Sequence, residues 1–209
     1  VQLFRKHLLL VIIAALVFAG NNAVGYMTTG GYVQNYVTNP DGLAIPRGDI
    51  LWAVTASAAV WLCTTAFAGW VSDYIGRRRT FLIGFLVQAI GAGILFPLVN
   101  SASLGLLYVA LIFLTVGLGL TYGAQSAMYA ELYPASVRAS GVSISYAIGS
   151  ILGGAFAPMI AASLVDATGT TVAVTIYLVT ASLVGFTAIL LLQERKGIPL
   201  SPDFETEQS

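Results

Sequence analysis

The chain has 209 residues, of which 57% are hydrophobic and 9% charged, with a formal net charge of zero and a mean hydropathy of +0.86. Soluble domains carry roughly 25% charged residues, so that class is excluded and a helical membrane protein is the class that fits. Zero net charge gives no sign of nucleic acid or of a strongly acidic partner.

The sequence begins at Val1 and enters an apolar helix within a few residues, with neither an initiator Met nor a signal-peptide pattern. It is therefore expected to be a piece of a longer chain. The predicted first span, 8–36, is longer than the roughly 20 residues a crossing needs, so it must tilt, bend or protrude. It is also the most polar of the predicted spans. Asn21 interrupts it, and Asn22, Tyr26 and Thr29 at i, i+4, i+7 share one face. Gly20, Gly25 and the pair Gly30 and Gly31 offer places to kink or break. The turn-rich segment 38–49 follows, with Asp49 as the expected N-cap of the next helix.

The second span is predicted over 50–71 and the third over 80–99, where Gln88 is the one strongly polar residue. A tight connection at 100–103 leads to a fourth span at 104–129, a fifth at 139–165 and a sixth at 172–193. The tail 197–209 is polar, with Pro199 and Pro202, and is expected to be disordered. Residues 1–196 thus read as one all-α integral membrane unit of six transmembrane helices, a multi-pass protein whose first partner is the lipid bilayer. Of the nine Lys and Arg, only Arg47 falls on the side opposite Arg5, Lys6, Arg77, Arg78, Arg79, Arg138, Arg195 and Lys196. By the positive-inside rule both ends of the segment are expected to be cytoplasmic in a cell membrane.

Charge is concentrated between the second and third spans. Gly69, Asp73, Gly76, Arg77, Arg78 and Arg79 form the pattern Gly-x-x-x-Asp-x-x-Gly-Arg-Arg-Arg, in which glycines permit close approach and a reversal, and Asp73 can pair with Arg77 or Arg78. Topology anchoring alone would explain the arginines, but not the aspartate and glycines at this spacing. Between the fourth and fifth spans stand Glu131, Leu132, Tyr133, Pro134, Val137, Arg138 and Gly141; Pro134 ends one helix, and Glu131 and Arg138 can pair with each other or with the first cluster. In the fifth span Gly141, Ser145, Gly149, Gly153 and Ala157 make a small-residue packing stripe, beside a polar stripe of Ser143, Tyr146 and Ser150. In the fourth, Gly119, Gly123 and Ala127 make a second small stripe, while Tyr122, Gln125, Ser126 and Tyr129 lie largely along one face.

The first cluster resembles the signature loop of the major facilitator superfamily, and the second resembles the corresponding loop between the fourth and fifth helices of a C-terminal six-helix half. The run 143–158 is similar to the eleventh helix of the metabolite:proton symporter branch, which carries shikimate, 2-oxoglutarate, citrate, proline and betaine. The resemblance implies the C-terminal half of a secondary active transporter working by alternating access, with proton-coupled symport of a small carboxylate or zwitterionic metabolite. It implies a latch at Asp73, Arg77 and Arg78 favouring the outward-facing state, peripheral third and sixth spans, and an N-terminal six-helix half outside this chain. A sugar or drug carrier of the same superfamily is the alternative.

Polar faces inside spans are costly unless they meet water or protein. Asn21, Asn22, Tyr26, Tyr122, Gln125 and Tyr129 are therefore the expected substrate path, touching a small-molecule substrate or pathway water, with a proton as the further partner of the transporter. No Asp, Glu, Lys, Arg or His lies deep in any predicted span; a proton-coupled anion carrier needs such groups, which are expected in the other half. With one His and one Cys, and with no His-Glu-x-x-His, nucleophile-elbow or phosphate-loop pattern, no metal site, cofactor or enzymatic activity is expected. A six-span membrane enzyme or sensor remains the remote alternative.

Overall fold

The computed structural model describes residues 7–28, 31–40 and 43–192, which are helical almost throughout and include no strand. The expected tail and the basic residues flanking the first and sixth spans lie outside the described residues. The first span is made of α1 (Leu8–Thr28) and a short α2 (Tyr32–Thr38). Gly31, at the start of α2, sits at φ 91°, a left-handed conformation that favours glycine. The over-long apolar run is thus divided, and its second piece caps the end of the bundle opposite Gly76, the outer end in the orientation expected from the cation count.

The second span is α3 (Arg47–Ile75), the third α4 (Arg77–Val99) and the fourth α5 (Leu104–Leu132). Pro46, and not Asp49, stands at the N-cap of α3; Asp49 lies in its first turn, where a carboxylate still complements the positive helix end. α3 also runs about one turn further inward than hydropathy alone suggests, so Asp73 is helical. The loop shrinks to Gly76, at φ 99° and ψ 151°.

The fifth span is not the continuous helix expected over 139–165. It consists of α6 (Arg138–Ser150), a π-helical turn (Ile151–Ala155) and α7 (Ala157–Thr168). Pro158 accounts for the break: in a continuous α-helix it would have no N–H to give the Gly154 carbonyl and its ring would crowd that carbonyl, whereas in the first turn of α7 neither cost arises. The sixth span is α8 (Val172–Leu191).

Side by side, the spans run two, four, three, six, one, five, with the first also touching the fourth. Lipid offers no hydrophobic drive for helices to associate, so close contact rests on small residues. The expected stripe in the fifth span, Gly141, Ser145, Gly149, Gly153 and Ala157, is buried throughout. Spans two and five, at the ends of this order, are the barest, with Trp52, Leu62, Phe67, Trp70, Leu152 and Met159 all exposed.

The interior is layered by depth. One buried apolar cluster holds Val24, Ala92, Leu118 and Leu178 toward the outer end, and a second holds Phe18, Phe85, Ala124 and Ala188 toward the inner end. Between them, on four different spans, lie the buried polar residues Asn21, Asn22, Gln88, Thr121 and Ser182.

Candidate functional site

At the inner end, Arg77 is held from three directions. Its Nη1 pairs with Asp73 and donates to Ser72 Oγ at 2.8 Å, and its Nε lies 3.4 Å from Glu131 Oε1. One guanidinium thereby joins the end of the second span to the end of the fourth. Arg78 donates from Nη2 to the Leu190 carbonyl at 2.6 Å, tying the start of the third span to the last turn of the sixth. Arg138 donates from Nε to the Tyr133 carbonyl at 3.2 Å. The ring of Tyr133 fills the space opposite Gly141, and its hydroxyl shares a 2.6 Å hydrogen bond with Ser145 Oγ. Burial pushes the Tyr133 phenol up, against the opposing effect of that bond, so it stays neutral.

At mid-depth the polar residues form two short chains. Tyr122 Oη donates to Asn22 Oδ1 at 2.9 Å, and Asn22 Nδ2 donates to Ser150 Oγ at 3.1 Å. Thr121 Oγ1 donates to Asn21 Oδ1 at 2.7 Å, while Asn21 Nδ2 reaches Gln125 Oε1 at 3.4 Å. Both asparagines are buried, so in this arrangement they form the floor of a polar wall. Its accessible rim is Tyr26, 44% exposed and lying over Gly154, with half-buried Tyr122 and Gln125. Trp61 meets Tyr122 edge-on at a ring-centroid distance of 5.1 Å.

Tyr129 does not join this wall. It is 2% exposed, stacks on Phe18 at 4.2 Å and donates to the Ala14 carbonyl at 3.0 Å, which makes it a packing residue of the inner core. Conversely, Ser150 belongs to the wall through Asn22, as the polar stripe of the fifth span allowed. Of that stripe, Ser143 is exposed, and Tyr146 is exposed with its ring edge-on to Phe18. Trp61 carried no signal that sequence could separate from ordinary packing. Among the described residues no group of three or more His, Cys, Asp or Glu is placed to hold a metal.

The Major Facilitator Superfamily profile matches residues 8–208. The chain belongs to the major facilitator superfamily. It is 32% identical to the inner membrane metabolite transport protein YhjE of Escherichia coli, over 91% of this chain and 43% of that protein. It is 28% identical to the E. coli shikimate transporter over 81% of this chain and 38% of that protein, and 28% identical to the citrate-proton symporter of Klebsiella pneumoniae over 88% and 43%. The chain therefore spans less than half the length of these curated relatives. The Gly76 turn lies between the second and third spans, and the Asp73–Arg77–Glu131 cluster joins it to the end of the fourth. Asp73, Arg77, Arg78, Glu131 and Arg138 gather at that end of the bundle, and the uncharged wall lies deeper within it.

Proposed function

We propose that this chain is one half of a secondary active transporter, and that a six-helix partner half closes around the wall of Asn21, Asn22, Tyr26, Tyr122, Gln125 and Ser150 to form a midplane site. The observation that carries this is the separation of chemistries: an uncharged hydrogen-bonding chain joins the first, fourth and fifth spans at mid-depth, and the described Asp, Glu, Arg and His residues sit at span ends. Neutral donors and acceptors can orient a substrate without trapping it. The charge that recognises a carboxylate, and the group that carries a proton, belong to the partner half in this reading.

The substrate is a small carboxylate or zwitterionic metabolite taken up with a proton, a reading supported by the names of the relatives. Alternating access proceeds by rocking of the two halves, with the Asp73–Arg77–Glu131 cluster intact in one state and broken in the other. The test is uptake by the full-length protein in proteoliposomes under an imposed proton gradient. Asn22→Ala and Gln125→Ala are expected to raise KM for a transported metabolite by at least about tenfold, the loss of one or two substrate hydrogen bonds, while Asp73→Asn lowers turnover with KM little changed. Uptake indifferent to all three substitutions overturns the assignment.

A further inference from the structure

Gln88 lies on the third span, which the family resemblance makes a peripheral helix, yet it is fully buried. Neither its Nε2 nor its Oε1 meets a hydrogen-bond partner among the described residues. An amide in a membrane interior is stable only when both of its functions are satisfied. The place of Gln88 in the fold is specific. A Cβ on Gly117 would fall 2.7 Å from the Gln88 backbone nitrogen and 3.0 Å from its Cβ, so the fourth span gives way at this point to let Gln88 in. One turn inward, Gly84 faces Thr121, and the Phe85 ring fills the space opposite Gly185 of the sixth span; Gly185 in turn lies against Gly20 of the first.

Four spans thus cross at this level, and each brings a buried polar side chain: Asn21, Gln88, Thr121 and Ser182. These side chains fall between the outer and inner apolar clusters on every one of those spans. Ser182 donates to the Leu178 carbonyl and Thr121 to Asn21, so each hydroxyl oxygen keeps lone pairs to accept with. Helical side chains lean toward the N-terminus of their own helix, which carries the Gln88 amide inward, toward the level of Thr121 and Asn21.

We propose that Gln88 anchors a buried water-binding site at the crossing of spans one, three, four and six. Water is the ligand chemistry that fits, because Gln88 needs an acceptor for its N–H and a donor for its carbonyl, and water is both. A metal cation would satisfy Oε1 and be repelled by Nε2, and the described carboxylates lie at the span ends. The bound water links Gln88 to the Asn21–Thr121 pair, so that the Asn21 amide in the floor of the wall is set by a hydrated core.

Radiolytic footprinting of the full-length protein reads such water directly, because hydroxyl radicals formed at a bound water label buried side chains beside it. Phe85 and Phe96 are both buried on the third span, in different clusters. Phe85 is expected to be labelled several-fold faster than Phe96, and Gln88→Leu is expected to bring it down to the rate of Phe96. Equal rates at the two rings in the unmodified protein overturn the proposal, whether or not Gln88→Leu folds. A map that resolves ordered water gives the second reading: density in reach of both amide atoms supports the site, and a direct protein partner on each atom overturns it.

Discussion

A Cβ on Gly123 would fall 2.3 Å from the Thr65 carbonyl oxygen and 2.7 Å from the Gly69 nitrogen, so the second and fourth spans cross there in backbone contact. Fixed backbone atoms cannot step aside as a flexible side chain would. Gly93, in contrast, has open space around its Cβ direction. Gly123→Ala is expected to destabilise the protein by about 1–3 kcal/mol, the usual cost of overpacking, whereas Gly93→Ala gains helix propensity and is expected to be neutral or stabilising by up to about 1 kcal/mol. Thermal unfolding of the two full-length variants in one detergent checks the contrast; equal midpoints would remove the crossing as a structural constraint. The small-residue spacing at Gly119, Gly123 and Ala127 was legible in the sequence, because a four-residue repeat keeps one helix face. Which residue in the stripe bears the closest contact was not, since that depends on the crossing point. The same limit explains Tyr129: its period places it with Tyr122 and Gln125, but the neighbour that claims its ring, Phe18, is more than a hundred positions away.

Among elements, the fifth span departs most from what its hydropathy implies. The apolar run is long enough to pass for one helix, and nothing in its periodicity marks the π-helical turn at Ile151–Ala155. The signal was Pro158, whose effect falls four residues upstream on Gly154. The turn matters because Ser150, just before it, holds Asn22, and Gly154, inside it, lies against Tyr26. It therefore sets how the fifth span meets the first at the polar wall. Pro158→Ala restores the missing N–H and is expected to draw the segment toward a continuous α-helix, rotating Ser150 away from Asn22. With cysteines at positions 22 and 150 and Cys63 replaced by Ala, a short bismaleimide should crosslink the parent efficiently and the Pro158→Ala variant poorly. Undiminished crosslinking would show that the proline is not what opens the helix.

For the whole molecule, the six spans were readable because hydropathy is a sum over many residues, tolerant of local error, and the expected orientation rests on the same kind of sum over cations. The inward placement of Gln88 was not readable, since one polar residue in a span has no period to reveal its face. In the structure Arg77, Arg78 and Arg138 gather with Asp73 and Glu131 at one end of the bundle, and Arg47 stands at the other. Cations near span ends resist translocation, so the end with the greater number stays on the cytoplasmic side. Full-length protein carrying a C-terminal green fluorescent protein is expected to fluoresce in cells, and the matching alkaline phosphatase fusion is expected to be inactive, because each reporter works on only one side of the membrane. The opposite pattern would invert the molecule. It would place the Asp73–Arg77–Glu131 cluster at the outer mouth, where intact pairs would close the path to the outside, and so reverse the sense of the latch.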